Sequence, residues 1–213
     1  RRFYNSPDAA LTRHDGKIQL AVSIGSGHRG HPLSVATADR FYSFRSTQVY
    51  NPNGTAAHTA IVEANLYDAT ANTIQTGTVS EKAAELASLN AAKGWMIRLG
   101  SATSGEKALA ESLTYAGITF FTTYAPGDVS ASPCQAVPGE GRVYAVNLTD
   151  ATAYSTTNDP AASRSRVTAT VGIPPRPVIV HLKDKSTVCI GTDCKSPAPK
   201  LDTTPIPTYW IDK

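Results

Sequence analysis

Three cysteines, two closely spaced histidines and one glycine-rich turn are the residues of this 213-residue chain whose types and spacing could do chemistry. Cys189 and Cys194 flank Ile-Gly-Thr-Asp, a turn-forming tetrapeptide that brings two Cβ atoms toward the ~4 Å separation a disulfide requires. The spacing predicts a Cys189–Cys194 disulfide in an oxidising compartment, and it leaves Cys134 either to pair outside the chain or to stay a thiol. Zinc is not indicated, because no CxxC pair and no histidine at ligand spacing accompany the cysteines. His28 and His31 stand three residues apart with no third Cys, Asp or Glu ligand near them in sequence. They read as hydrogen-bonding partners that fix their loop.

Gly25-Ser26-Gly27-His28-Arg29-Gly30 fits the G-x-G-x-x-G pattern and follows an apolar run, as a dinucleotide-binding turn should. A phosphate-binding turn must open a helix, however, and His31-Pro32-Leu33-Ser34 reads as loop because a residue before proline avoids helical dihedrals. Asp39 is too near to serve as the ribose-binding acid. Asp15 in the Asp-Gly turn lacks the alternating oxygen ligands of a calcium loop. Glu63, Asp68, Glu81, Glu85, Asp150 and Asp159 fall in segments that read as helices or turns, and no G-x-S-x-G elbow exposes a serine nucleophile. No catalytic residue, no metal site and no cofactor is therefore expected.

The elements that must position these residues are mainly strands. Ile18 to Ile24, Arg40 to Arg45, Trp95 to Ile97, Ile118 to Tyr124, Val143 to Val146, Arg164 to Val171 and Val178 to Leu182 are short apolar, β-branched or alternating runs bounded by glycine, proline or serine. Trp95–Ile97, Ile118–Tyr124 and Val143–Val146 are expected to form one antiparallel meander, and Val178–Leu182 a buried strand. Pro205 to Trp210 suggests an edge strand. Between residues 47 and 92 the pattern changes. Thr55 to Ala71 is loosely periodic, Ser80 to Asn90 carries Ala83, Leu86 and Leu89 on one face, Thr78 with Glu81 makes a capping box, and Gly94 sits where a helix would stop. The expectation is an all-β chain with an insertion of one or two helices.

Composition narrows the function. Charged residues make up 17% of the chain, below the ~25% usual in soluble domains, while Thr, Ser, Ala and Gly are plentiful, as suits a secreted protein. The net charge of +3 comes from scattered Lys and Arg residues and carries no footprint of a nucleic-acid partner. No apolar run reaches the ~18 to 20 residues of a membrane-spanning helix, and none reads as a signal peptide.

Gly94-Trp95-x-Ile97-x-Leu99, Gly105-Glu106-Lys107-x-Leu109, Phe120-Phe121-Thr122-Thr123-Tyr124-x-Pro126, a cysteine-bearing loop and Gly141-Arg142-x-Tyr144-Ala145-Val146-Asn147-Leu148 together resemble the propeller domain of the PilY/PilC-type adhesins at the tips of bacterial type IV pili. The stretches Arg2 to Asp8, Gly25 to Leu33 and Asp39 to Tyr42 resemble its preceding blade, and Gly172 to Ile179 with Cys189 to Cys194 its closing segment. The resemblance implies that residues 1–213 are the C-terminal portion of a β-propeller of several antiparallel blades, with the insertion at 47–92 on its rim and further blades on other polypeptide. It also implies an extracellular, non-enzymatic component of the pilus tip. Such a protein attaches to surfaces or host cells and supports pilus assembly and twitching motility, with minor pilins and the rest of its own polypeptide as partners. Its ligand-binding residues are not indicated, and calcium is known in the family although no complete loop is present here. Two alternatives stand beside it: a quinoprotein-dehydrogenase-like propeller, which would need calcium, a quinone and a catalytic Asp, and an unrelated secreted β-protein.

Overall fold

The computed structural model describes residues 1–14, 16–47, 59–101, 103–127, 138–155, 157, 159, 161–169, 171–182 and 185–197. Three sheets account for nearly all of its regular structure. The first is built from β1 (Asp8–His14), β2 (Lys17–Gly25), β3 (Arg40–Ser46), β4 (Tyr67–Asp68) and β5 (Gly94–Arg98), in the spatial order β1-β2-β3-β5-β4. All its pairs are antiparallel except β4 with β5. The second holds β6 (Lys107–Ala108), β7 (Leu113–Tyr115), β8 (Ile118–Ala125), β9 (Glu140–Asn147) and β10 (Ser165–Val167), in the order β10-β9-β8-β6, with β7 on the same edge of β8 as β6. The third is the meander β11 (Pro177–Leu182), β12 (Lys185–Ile190) and β13 (Asp193–Pro197).

The sheets stack face to face, and side-chain alternation along each strand shows how. From the first sheet, Phe41, Trp95 and Ile97 meet Phe121, Tyr144 and Val146 of the second in the main core cluster. Phe41 stacks on Phe121 at 3.7 Å between ring centroids, and Phe121 on Tyr144 at 4.6 Å, so the ring column runs from one sheet into the next. The Trp95 indole N–H donates to the Leu148 carbonyl at 2.8 Å, so its polar edge is satisfied although the ring is buried. On the opposite face of the second sheet, Ile118, Phe120 and Val143 pack on Val188 and Ile190 of the third. Strand β8 is thus covered on both sides.

The outer face of the first sheet is different. Register places Leu11 opposite Leu20, Ala9 opposite Val22, Val22 opposite Phe44 and Ile24 opposite Tyr42, all on the side away from the second sheet. Leu11 is 67% exposed and Ile18 63%, Leu20, Val22, Ile24 and Phe44 are half-buried, and Tyr42, against Phe3, is buried. Among the described residues no sheet covers this apolar surface.

Several sequence expectations are corrected. Strand Trp95–Ile97 does not extend a meander with β8 and β9. Its partner is β3, with Phe41 opposite Ile97 and Ser43 opposite Trp95, and the edge of β8 that it was expected to occupy is taken by β6 and β7. Gly94 opens β5 instead of ending a helix: its φ is +136°, and a Cβ there would lie 2.2 Å from the Ser43 carbonyl oxygen, so only glycine lets β5 start this close to β3. Within the expected helix at 55–71, the described residues form only a 3₁₀ turn at Glu63–Asn65 and strand β4, whose pairing with β5 outweighs the loose periodicity. Val178–Leu182 is not a buried strand, because among the described residues β11 is paired only on its β12 side and Val178 and Val180 are exposed. The run Arg164–Val171 forms a strand only over Ser165–Val167.

Local signals hold. The β1–β2 hairpin pairs His14 with Lys17, α2 (Val79–Ala91) follows the short helix α1 (Thr73–Thr76), and both halves of the Thr78/Glu81 capping box form. Both helices lie in the connection between the neighbouring strands β3 and β5. Cys134, Asp15 and Pro205 to Trp210 lie outside the described residues.

Candidate functional site

The glycine-rich turn after β2 builds a polar corner of the molecule. Gly25 and Gly27 pass so close to β6 that a Cβ on either would fall 2.3 Å from Ala108 atoms, so these glycines serve sheet-to-sheet packing and no helix follows them. Between them, Ser26 joins the first two sheets: its N–H donates to the Arg40 carbonyl at 2.8 Å, and its own carbonyl accepts from the Ala108 N–H at 3.0 Å. Its hydroxyl donates to Asp39 Oδ1 at 2.8 Å and accepts from the Arg40 N–H at 2.9 Å, which fixes the buried Asp39 carboxylate at the far end of the loop.

Lys107 holds the loop from beneath. Its side chain is almost entirely enclosed, the residue being 2% exposed, and its ammonium donates to the carbonyls of Pro32 and Ser34 at 2.9 Å each and to that of Gly105. Desolvation holds its pKa below the ordinary lysine value, with Asp39 acting in the opposite direction. The first residues of the chain close the corner from above. The Gly27 N–H donates to the Arg2 carbonyl at 2.9 Å, and the Arg2 guanidinium donates to the Tyr4 hydroxyl at 3.3 Å and to His28 Nε2 at 3.2 Å. Tyr4 stacks on His28 at 5.5 Å, and His31 meets His28 edge-on at 4.5 Å. Desolvation, then Arg2 and His31, hold His28 below its usual pKa, which suits a neutral ring accepting from Arg2. Arg1 donates to the Ala38 carbonyl at 3.1 Å and to Glu63 at 3.2 Å, a carboxylate that also takes Arg40 and, at 2.7 Å, the Tyr42 hydroxyl.

These groups enclose a cavity of about 150 Å³ lined by Arg1, Arg2, His28, Ser34, Thr37, Asp39 and Lys107. A larger cavity of about 420 Å³ lies at the other end of the first sheet, beside His14, Lys17, Gln19, Arg45, Asn90 and Lys93. There the buried Arg45 is committed to the Leu89 and Ala92 carbonyls at the end of α2, at 2.8 and 3.3 Å.

The other residues singled out in the sequence do not converge. Glu63 belongs to the Arg1–Arg40 cluster, Asp68 pairs with Arg98 and Thr70, and Glu81 caps α2. Glu85 bonds Tyr67, raising the tyrosine pKa to about 12 together with burial, the larger cause. Asp150 and Asp159 accept from nearby backbone N–H groups. Among the described residues no three His, Cys, Asp or Glu side chains could share a metal ion. Cys189 and Cys194 are joined in a disulfide across the β12–β13 turn.

In the sequence Glu106, Lys107 and Arg2 count only as parts of the family-like stretches, and neither they nor Arg1 are given a role. Glu106 is buried and accepts from the Thr123 hydroxyl at 2.6 Å and the Tyr144 hydroxyl at 3.0 Å, and burial followed by this carboxylate raises the Tyr144 pKa. A signal was present: two charged residues sit between Gly105 and the apolar Ala108-Leu109, where an ordinary strand would carry none.

Fold and corner together define an all-β protein of stacked antiparallel sheets with a small basic cavity at the junction of the first two. A solved structure of similar fold is the C-terminal domain of PilY1 from Pseudomonas aeruginosa, with a TM-score of 0.59 and 12% sequence identity over 91% of this chain and 44% of that one. The chain thus spans less than half the length of that structure's chain. No protein-family model and no curated protein matches the sequence.

Proposed function

We propose that the chain is a portion of a β-propeller belonging to an adhesin at the tip of a type IV pilus. On this reading it is extracellular, attaches the pilus to surfaces or host cells, and supports pilus assembly and twitching motility. It is a binding and assembly protein with no catalytic role and no required cofactor, and its partners are minor pilins and the rest of its own polypeptide.

The observation that carries the propeller is the serial stacking of three sheets together with the open face of the first. Blades of a propeller pack face to face around a ring, so each blade is apolar on two sides. The second sheet already has that character, and the first has it in composition, but among the described residues no sheet lies on its outer face. An apolar surface of this extent on an antiparallel sheet is an interaction surface, not ordinary solvent-facing composition. The fold likeness to the PilY1 C-terminal domain supports the pilus assignment.

Two measurements test the two parts separately. Expressed alone, residues 1–213 should bind a hydrophobic dye through the outer face of the first sheet and self-associate as concentration rises; a chain that stays monomeric at all concentrations and binds no dye would remove the propeller. Deleting the gene in its host should reduce piliation, twitching and attachment, with recovery on complementation. A deletion strain unchanged in all three would remove the pilus role while leaving the fold untouched.

A further inference from the structure

We propose that the cavity beneath the Ser26–Asp39 loop is a binding site for an acidic sugar, whose carboxylate is held by Arg1 and Arg2 and whose hydroxyls meet Ser34, Thr37 and Asp39. Charge is the first argument. Four cations, Arg1, Arg2, Arg40 and Lys107, surround the cavity or its rim, against two carboxylates, Asp39 and Glu63. Arg1 and Arg40 share Glu63, whereas the hydrogen bonds of Lys107 go to neutral carbonyls and those of Arg2 to the Tyr4 hydroxyl and the His28 ring. Lys107 is buried with its ammonium already donating to three carbonyls, so it supplies field and not contact, while the exposed Arg2 has no carboxylate partner among the described residues and is the cation left for an entering oxyanion. Such a cavity also concentrates anions from solution.

Geometry gives the anion a place. The side-chain contacts of Arg2 with described residues all use Nη1, which leaves the Nε–Nη2 edge of its guanidinium to grip a carboxylate with two parallel hydrogen bonds. A volume of about 150 Å³ admits the charged end of one sugar ring and excludes a nucleotide or a folded peptide. The lining then separates a sugar from a bare inorganic anion. Asp39 repels any oxyanion set beside it, but a sugar can keep its carboxylate at the arginines and turn hydroxyls toward Asp39, Ser34 and Thr37, which a bare phosphate dianion cannot do. Tyr4, beside His28 at the mouth, is 56% exposed, with its ring stacked on His28, and it offers an aromatic surface to the apolar face of a pyranose. The site is the same whether or not the chain sits on a pilus.

The test is an NMR titration of the full chain, at matched low ionic strength, with glucuronate, glucose and inorganic phosphate. Glucuronate should shift the amide resonances of Arg2, His28 and Thr37 and bind about tenfold more tightly than glucose, the factor expected for one charge-assisted pair of hydrogen bonds. It should also bind more tightly than phosphate. Arg2→Ala should weaken glucuronate binding about tenfold, while Arg98→Ala, which loses an ion pair with Asp68 away from the cavity, should leave it unchanged. If Arg2→Ala does not fold, Thr37→Val reads the same site and should weaken glucuronate several-fold. Equal binding of glucose and glucuronate, phosphate binding as tight as glucuronate, or unaltered affinity in the folded variants would each overturn the assignment.

Discussion

Strands β2 and β8 are both rich in apolar and β-branched residues, yet they have opposite fates. In β8, residues Ile118 to Tyr124 are all buried, because the first sheet takes one face and the third takes the other. In β2, one face packs on the second sheet through Ala21 and Ser23, while Leu20, Val22 and Ile24 stay partly open and Ile18 is exposed. The difference lies in the neighbours and not in the strand sequences. A strand patterned for two covers but supplied with one sheet among the described residues is a strand prepared for contact.

The largest effect that can break this comparison comes from the ring column. Phe121→Ala empties the position between Phe41 and Tyr144 and should destabilise the chain by about 3–5 kcal/mol in urea unfolding. Leu11→Ser, at the exposed end of the outer face, should change stability by less than about 0.5 kcal/mol. A cost for Leu11→Ser approaching that of Phe121→Ala would mean that the outer face is already covered within the chain.

The disulfide comes next. The third sheet has three strands and the few large apolar residues that meet β8, so its order depends on a covalent restraint more than that of the other two. Replacing Cys189 and Cys194 by serine should remove about 2 kcal/mol by freeing the unfolded hairpin. Amide exchange should accelerate across β11, β12 and β13 while β2, β3 and β5 keep their protection. Uniform acceleration over all three sheets would show that the cover on β8 is not a separable unit.

The smallest effect is a titration. The hydrogen bond from Tyr42, with Arg1 and Arg40, holds the Glu63 carboxyl below its ordinary pKa of 4.5. A depressed carboxyl contributes stability above the unfolded value and loses it as pH falls through the folded one. The tie between the first residues and the rim of the first sheet should therefore persist at pH 6 and weaken only below about pH 4.5. Its worth is well under ~1 kcal/mol, because the carboxylate is exposed to solvent. Glu63→Gln should abolish the acid-side change in the amide resonances of Phe3 and Tyr4, and persistence of that change would assign it to another group.

What the sequence disclosed was what is decided within a few residues. The β1–β2 hairpin, the capping box on α2 and the Cys189–Cys194 pair each depend on local spacing. Trp95 was recognised as a strand residue, but its partner was not, because nothing near it in the chain says whether Ser43 or a residue of β8 will lie opposite. Val178 and Val180 show the same limit, since β-branched residues favour a strand without telling which faces will be covered. The basic corner was least legible. Arg1, Arg2, His28, Asp39 and Lys107 come from three distant stretches, and the pattern that drew notice, Gly25-x-Gly27, proved to matter for its missing side chains.

The neighbouring strands β3 and β5 are joined by a connection that runs from Ser46 to Gly94 and carries both helices. Closing so long a loop costs about 3 kcal/mol more in chain entropy than closing a tight hairpin. During folding the β1-β2-β3 meander can therefore assemble early from local contacts. Strand β5 must wait until the intervening helices shorten the path or until the second sheet offers Trp95 a place to dock. Until then the edge of β3 stands unpaired, so the interval before β5 arrives is when this chain is most exposed to wrong strand partners.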